Sequence, residues 1–321
     1  MEKADLKNLK IVFMGTPQFA VTILDKLLEN NANIVGVVTA PDKPAGRGMQ
    51  LQESDVKKYA KSKDLNVLQP VNLKDNSFID ELAALQADLF VVVAFRMLPE
   101  VVWAMPPRGT INLHGSILPN YRGAAPINWA IINGEQETGV TTFFIEKEID
   151  TGKVIERATV QIGEDETVGE LHDRLMQLGA ETTLSTVIKI ANGEVEGIPQ
   201  IELTEGEIKM APKIFKQDCE INFSQPVLNV HNFIRGLSPY PAAWCKIVGE
   251  DGSMKNLKIF KANKTTEQVG DVQKIKIGKD GILFPCADFY INVTELQPEG
   301  KRRMDYKSFL AGNDIACWSV K

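Results

Sequence analysis

The sequence has little histidine and little cysteine, three and four in 321 residues. Cys219, Cys245, Cys286 and Cys317 stand far apart, with no C-x-x-C pair among them. Zinc sites gather close Cys and His pairs, and disulfide frameworks belong to short secreted chains. Neither is expected here, and the thiols read as small buried hydrophobes. His172 and His231 lie in helical stretches without ligand spacing and read as surface or packing residues, so no metal site is expected. Long apolar runs are also missing. The longest, residues 89–95, is far below the ~20 residues a membrane span needs. Residues 1–7 mix charges and lack the apolar core of a secretory signal. The expectation is no membrane partner and a cytoplasmic address. The dinucleotide fingerprint G-x-G-x-x-G is absent too, because its series here is Gly15, Pro17, Ala20. Proline replaces the glycine that lets a pyrophosphate approach the backbone. What remains is a tight strand-to-helix turn whose helix N-terminus suits an anion.

What is present is ordinary in amount and uneven in place. Apolar residues make up 44% and charged residues 24%, as in soluble globular chains, and the length suggests two domains. The net charge of −6 taken whole argues against a nucleic-acid partner. Cut at residue 206, the front holds 19 Lys and Arg against 29 Asp and Glu, and the back holds 17 against 13. A balance of −10 followed by +4 makes a charged partner worth considering.

The front alternates strand and helix signals. Apolar runs at 10–14, 34–39, 66–68, 88–94 and 109–113 read as strands, with helical spacing at 19–30, 55–63 and 77–86 between them. Later strands follow at 140–145 and 153–161, then a long amphipathic helix over 167–191 that stops at Asn192-Gly193. This rhythm predicts an α/β fold with a doubly wound, mostly parallel sheet. Residues 194–212 show little periodicity and read as a linker. Beyond it, after a helix at 227–237, short strands at 243–248, 257–261, 272–277, 281–285 and 290–296 predict a small β-barrel, with a closing helix at 304–311. The domains are therefore 1–206 and 207–321.

Four features carry chemistry. The loop Ala40-Pro41-Asp42-Lys43-Pro44-Ala45-Gly46-Arg47-Gly48-Met49 has two prolines and two glycines, which disfavour regular structure. Lys43 and Arg47 are the only cations between Lys26 and Lys57. The loop is either a plain surface loop or a basic arm over an acidic domain, suited to a phosphate-rich substrate. The second feature is Asn112-Leu113-His114-Gly115-Ser116-Ile117-Leu118-Pro119, at the carboxyl end of a strand. Side chains two apart on a strand share a face, so an amide donor and an imidazole point together and can address an oxyanion. The third is Asp150-Thr151-Gly152 in a turn. A carboxylate beside an imidazole fixes its tautomer and favours its charged form, but a turn Asp also bonds its own backbone. The fourth is the alternation Lys274-Ile275-Lys276-Ile277, which puts both lysines on one side of a strand as candidates for nucleic-acid phosphate contacts, with Lys213, Arg302 and Arg303 as further candidates.

Asn112-x-His114-x-Ser116, continuing through Leu118-Pro119 to Arg122-Gly123-Ala124-Ala125-Pro126, resembles the signature of the folate-dependent formyltransferases, and Asp150-Thr151-Gly152 resembles its partner motif. Gly15-Thr16-Pro17 and the 41–48 loop narrow the likeness to members that formylate methionyl initiator tRNA, and Ala211-Pro212-Lys213-Ile214 resembles the entry to their C-terminal domain. The likeness covers essentially the whole chain. It implies a Rossmann-like catalytic domain and an oligonucleotide-binding-type (OB-like) barrel that binds tRNA. It implies 10-formyltetrahydrofolate as co-substrate, initiator methionyl-tRNA as acceptor, and no obligate protein partner. Asn112, His114 and Asp150 would be catalytic. Ser116, Ile117, Leu118 and Pro119 would meet the folate, as would Phe95, Arg96, Met97 and Leu98. Lys43 and Arg47 would meet the acceptor stem. Ile117 stands where the family usually has leucine, and Arg96 where it usually has glycine. The same chemistry with an amino sugar nucleotide or a purine precursor as acceptor is the alternative. The cations of the 43–47 loop and the basic back half favour tRNA over it.

Overall fold

The structure is a computed structural model and describes residues 6–45, 50–270 and 274–321. The chain divides into two compact units. Unit 1 comprises Met1–Gly123, Gly139–Val160 and Asp173–Met210, and unit 2 comprises Ala124–Thr138, Gln161–His172 and Ala211–Lys321.

Unit 1 is built on strands β1 (Lys10–Gly15), β2 (Asn33–Val38), β3 (Val67–Leu68), β4 (Leu89–Val93), β5 (Thr110–His114), β6 (Glu137–Phe144) and β7 (Val154–Gln161). Helices α1 (Gln18–Glu29), α2 (Asp55–Ser62) and α3 (Asn76–Ala84) alternate with the early strands, and α4 (Val168–Asn192) follows the last. The strands form one sheet in the order β7-β6-β5-β4-β1-β2-β3. Pairings β1–β2, β1–β4, β2–β3 and β4–β5 are parallel, and β5–β6 is antiparallel. This is the doubly wound, mostly parallel sheet that the periodicity predicts. Every residue of β4 is buried, as a strand covered on both faces requires. In α1 the buried residues are Ala20, Val21, Ile23, Leu24 and Leu27, a single helical stripe.

The chain leaves β1 toward β2 and β3, then returns to lay β4 and β5 on the other side. The order therefore reverses between β1 and β4. In open α/β sheets the crevice beyond the carboxyl ends at such a reversal is where ligands bind. Gly15 ends β1 there because a side chain would collide with α1, its Cβ falling 2.5 Å from the Ala20 Cβ. Gly179 does the same for α4, where a Cβ would lie 2.7 Å from Leu113 Cδ2 on β5.

The 40–49 loop differs from its expectation. Lys43–Ala45 pairs antiparallel with Gln50–Gln52, with Pro44 opposite Leu51. Both strands of a two-stranded ribbon are edges, where a proline without an N–H is tolerated. The ribbon's base is fixed by Asp42, which accepts a hydrogen bond from Lys57 at 2.6 Å and one from Gln69 at 2.8 Å. Arg47 lies outside the described residues. The stretch 194–212 is also ordered: Ile198 bridges Val154, Gln200–Leu203 is a 3-10 turn, and Met210–Ala211 pairs with Arg122–Gly123.

Unit 2 centres on α5 (Val227–Leu237) and strands β8 (Ala243–Val248), β9 (Met254–Gln268), β10 (Lys276–Ile277), β11 (Ile282–Pro285), β12 (Phe289–Pro298), β13 (Met304–Asp305) and β14 (Ser319–Val320). The sheet order is β10-β11-β12-β9-β8-β14, with β13 on β12. Register shifts along β9 at Ile259/Lys261, Lys261/Ala262 and Lys264/Gln268 mark bulges that curl this antiparallel sheet into a half-barrel. Its interior holds Cys245, Leu257, Ile259, Phe284, Ile291 and Val293, with α5 contributing Val230, Ile234 and Leu237. Cys219, Cys245 and Cys286 are buried, as hydrophobes of their size should be, and Cys317 is exposed. The segment expected as a closing helix is β13 followed by a five-residue helix, Tyr306–Leu310.

Candidate active site

Strand β5 carries Asn112 and His114 on one face. It is held on both sides: Asn112 pairs with Val92 and Phe143, and His114 with Thr141. His114 is its last residue and is 7% exposed. Its Nε2 lies 2.7 Å from the Tyr121 carbonyl, which can only accept, so Nε2 carries the hydrogen and donates. Nδ1 therefore forms the open edge of the ring, and Asp150 Oδ2 lies 3.8 Å from it. Asn112 is half-buried, and among the described residues its side chain has no hydrogen-bond partner.

Asp150 is held in place by backbone geometry. Its Oδ2 accepts the Gly123 N–H at 3.0 Å, and its own φ is +55°. Ala94 and Tyr121, at +47° and +62°, share the left-handed region. Non-glycine residues there cost ~1–3 kcal/mol each and cluster where surrounding structure enforces them, often at functional sites. Ala94 directly follows β4, Tyr121 holds the His114 ring, and Asp150 faces it. Gly152, two residues on, admits no side chain, since its Cβ would fall 1.7 Å from the Phe144 carbonyl oxygen.

One contributor was not among the residues anticipated. Gln200 is 3% exposed. Its Nε2 donates to the carbonyls of Asp150 at 2.9 Å and Gly152 at 2.8 Å, while its Oε1 accepts from Arg122 Nε at 3.0 Å and Nη2 at 2.6 Å. Nearby, the Tyr121 N–H donates to the Lys209 carbonyl at 2.6 Å, and the Lys209 N–H donates to Asn120 Oδ1 at 3.0 Å. Both groups come from the stretch expected to be a linker. No local pattern signals them, because a glutamine after a proline in a charged segment carries no period.

The residues assigned to folate by resemblance fall into two kinds. Ser116 and Leu118 are fully buried. Ser116 Oγ donates to the Asn120 carbonyl at 2.6 Å, and the Leu118 N–H donates to Thr141 Oγ1 at 3.1 Å, so these two shape the loop from within. Pro119 is buried and Ile117 half-buried. In the segment after β4, at the sheet's reversal, Phe95 is half-buried, Met97 is 71% exposed and Leu98 is buried. Arg96 Nη1 donates to the Val71 carbonyl at 2.8 Å and Nη2 to that of Pro70, tying this segment to the turn after β3. Burial pushes its guanidinium below its ordinary value, and its buried Nε has no hydrogen-bond partner among the described residues.

The cations expected to meet tRNA are mostly engaged. Lys276 pairs with Glu267 at 2.9 Å and Lys274 with Glu250 at 3.8 Å. Arg303 grips both Glu295 oxygens at 2.6 Å, and Lys213 lies over the Phe215 ring. Lys274 and Lys276 do not share a strand, because β10 starts at Lys276. The Ile275 backbone instead exchanges hydrogen bonds with Cys317 and Trp318. Lys43 and Arg302 are exposed. Among the described residues, no group of three His, Cys, Asp or Glu side chains is placed to hold a metal ion.

The doubly wound sheet of unit 1 and the half-barrel of unit 2 have counterparts among known proteins. Residues 9–188 match the formyl transferase family and residues 213–314 match the formyl transferase C-terminal domain, so the chain belongs to the formyltransferase family. Among its relatives are methionyl-tRNA formyltransferases. That of Parabacteroides distasonis is 51% identical over the full length of both chains. That of Bacteroides fragilis is 50% identical over 97% of this chain and 96% of its own. The fold also matches WlaRD, a sugar 3N-formyl transferase solved in the presence of dTDP and 5-N-formyl-THF, with a TM-score of 0.65, 20% identity, and 92% and 99% of the two chains covered. HypX from Aquifex aeolicus, solved with tetrahydrofolic acid, matches with a TM-score of 0.64, 17% identity, and 94% and 47% covered.

Proposed function

We propose that the protein transfers the formyl group of 10-formyltetrahydrofolate to the amino group of methionyl initiator tRNA; its relatives at about half identity are named methionyl-tRNA formyltransferases. The observation that carries the reading is the His114–Asp150 pair beside Asn112 at the carboxyl edge of β5, next to the reversal of strand order. The segment after β4 suits a folate. It lies at the sheet's ligand-binding crevice, and Arg96 Nε is a buried donor without a partner among the described residues. Phe95 to Leu98 and the half-buried Ile117 would hold the co-substrate. When bound it supplies the formyl carbonyl.

Asn112 donates its amide to the carbonyl oxygen as the methionyl amine attacks. The Tyr121 carbonyl occupies Nε2, so His114 acts through Nδ1, which adds a second donor to the developing oxyanion. Asp150 Oδ2 faces that same edge, stabilises positive charge as it develops on the ring and receives the amine's proton; as the new amide bond forms, the formyl carbon's bond to the folate nitrogen breaks and that proton passes to the departing nitrogen. Exposed cations, Lys43 and Arg302 among them, meet tRNA phosphates. Lys213, Lys274, Lys276 and Arg303 join them by exchanging present partners, a small cost because exposed ion pairs are worth ~0–1 kcal/mol. In this reading the catalytic domain is 1–206, the tRNA-binding domain is 207–321, and the enzyme works in the cytoplasm. Among the described residues no helix is long and apolar enough to cross a membrane. The sugar-formylating alternative has support only from fold likeness at about 20% identity. The test is a formyl-transfer assay with initiator and elongator methionyl-tRNA and a dTDP-amino sugar. Transfer to the initiator is expected; transfer to the sugar alone, or to none, overturns the reading.

A further inference from the structure

Among the described residues, the Asp150 carboxylate accepts one hydrogen bond, from the Gly123 N–H. Both ends of that bond converge on Gln200. Its amide N–H groups hold the carbonyls of Asp150 and Gly152, on either side of Thr151, in the turn whose left-handed Asp150 aims the carboxylate at His114. Its amide oxygen holds the guanidinium of Arg122, the residue before Gly123. Every polar atom of a side chain only 3% exposed is thus used, and each bond ends on one side or the other of the Gly123–Asp150 contact. The segment carrying Gln200 also fixes Tyr121, the partner of His114 Nε2, through the Lys209 backbone.

We propose that Gln200 is a positioning residue for formyl transfer, setting the Asp150 carboxylate against the Nδ1 edge of His114. The inference rests on the catalytic reading of that pair. The Gln200 side chain hydrogen-bonds to the Arg122 guanidinium and to backbone carbonyls of the turn rather than to His114 or the Asp150 carboxylate, so its effect runs through turn geometry. Misplacing a group by about 1 Å can cost on the order of 10²-fold in rate.

The test compares Gln200→Ala, Gln200→Met and Gln200→Glu with Asp150→Asn and with the double variant Asp150→Asn/Gln200→Ala, in steady-state formyl transfer. Methionine keeps the buried volume, so a cavity alone does not decide the outcome. Glutamate keeps the acceptor for Arg122 but loses both donors to the turn. All three Gln200 variants should lower kcat, with KM for tRNA and for folate nearly unchanged. The double variant should be no slower than Asp150→Asn, because groups acting as one unit are not additive. The chain has only three histidines, so ring 15N signals are readable. Those of His114 should move in Gln200→Ala while those of His172 and His231 stay. Normal turnover in Gln200→Glu, a double variant slowed by the product of the single effects, or unmoved His114 signals would each overturn the role. Normal turnover in Asp150→Asn overturns the catalytic reading itself. Turnover lost in Asp150→Asn but kept in the Gln200 variants overturns the positioning role alone.

Discussion

The orientation of the His114 ring decides which of its atoms can act. With Nε2 bound to the Tyr121 carbonyl, the edge left open is Nδ1, which Asp150 faces at 3.8 Å. Removing one oxyanion donor typically costs ~10²–10³ in kcat. Asn112→Ala and His114→Ala should each lower kcat by about that range in single-turnover assays, with tRNA affinity by filter binding little changed. A loss confined to tRNA affinity would contradict the assignment. Gly152→Ala should be costly, since the Cβ would meet a backbone oxygen that cannot swing aside. A stability loss of about 1–3 kcal/mol in urea, with turnover reduced more than in Gly179→Ala, is expected. At Gly179 the obstacle is the mobile end of Leu113. The cysteines give a third outcome. Burial pushes Cys245 and Cys286 up to about 12 and raises Cys219, whereas Cys317 is exposed. At mild alkaline pH a thiol reagent should modify Cys317 quickly, and the other three only on unfolding.

Elements matter here chiefly as rigid mounts. Strand β5 is paired on both sides and covered by α4, so Asn112 and His114 have little freedom. Helix α5 plays a different part, because it buries a histidine in its neutral form. His231 is 1% exposed, and Asp165 Oδ1 lies 3.2 Å from Nε2 outside hydrogen-bonding geometry. Burial, then the nearby Arg235, pushes it from 6.5 down to about 4. Lys264 acts in the same direction, and the carboxylates of Asp165 and Glu164 oppose it. The unfolded chain therefore takes up this proton at a higher pH than the native chain. The resulting stability is full above the unfolded value and is lost as pH falls toward the folded one. The difference is on the order of 3 kcal/mol between about pH 6.5 and 4. Urea unfolding of wild type and His231→Gln across that window should show the wild-type advantage shrinking as pH falls; a constant gap would contradict it.

For the whole molecule, the charge split of −10 and +4 matters more than the total of −6. Affinity for tRNA should fall steeply with salt, by a log–log slope of roughly 0.7–0.9 per phosphate contacted. Arg302→Ala should lower that slope by about one contact, measured by salt titration of binding. An affinity flat in salt would remove the phosphate role.

Much of this was legible along the chain. The βα rhythm, the covered strand β4, the Asn112–His114 alternation and the Asp150 turn are local patterns of period and turn chemistry. Local pattern also accounts for the errors. Two prolines and two glycines pointed away from the ribbon at Lys43–Ala45, and alternation across 274–277 put two lysines on one strand, although the Ile275 backbone pairs elsewhere. Sequence alone determined the fold class and the chemical groups brought to the site, because burial period and side-chain type are properties of neighbours in the chain. Tertiary structure alone decided which edge of His114 is open, what aims Asp150 and why Gln200 is there. Those depend on hydrogen bonds between residues up to 89 positions apart, and no local period records them.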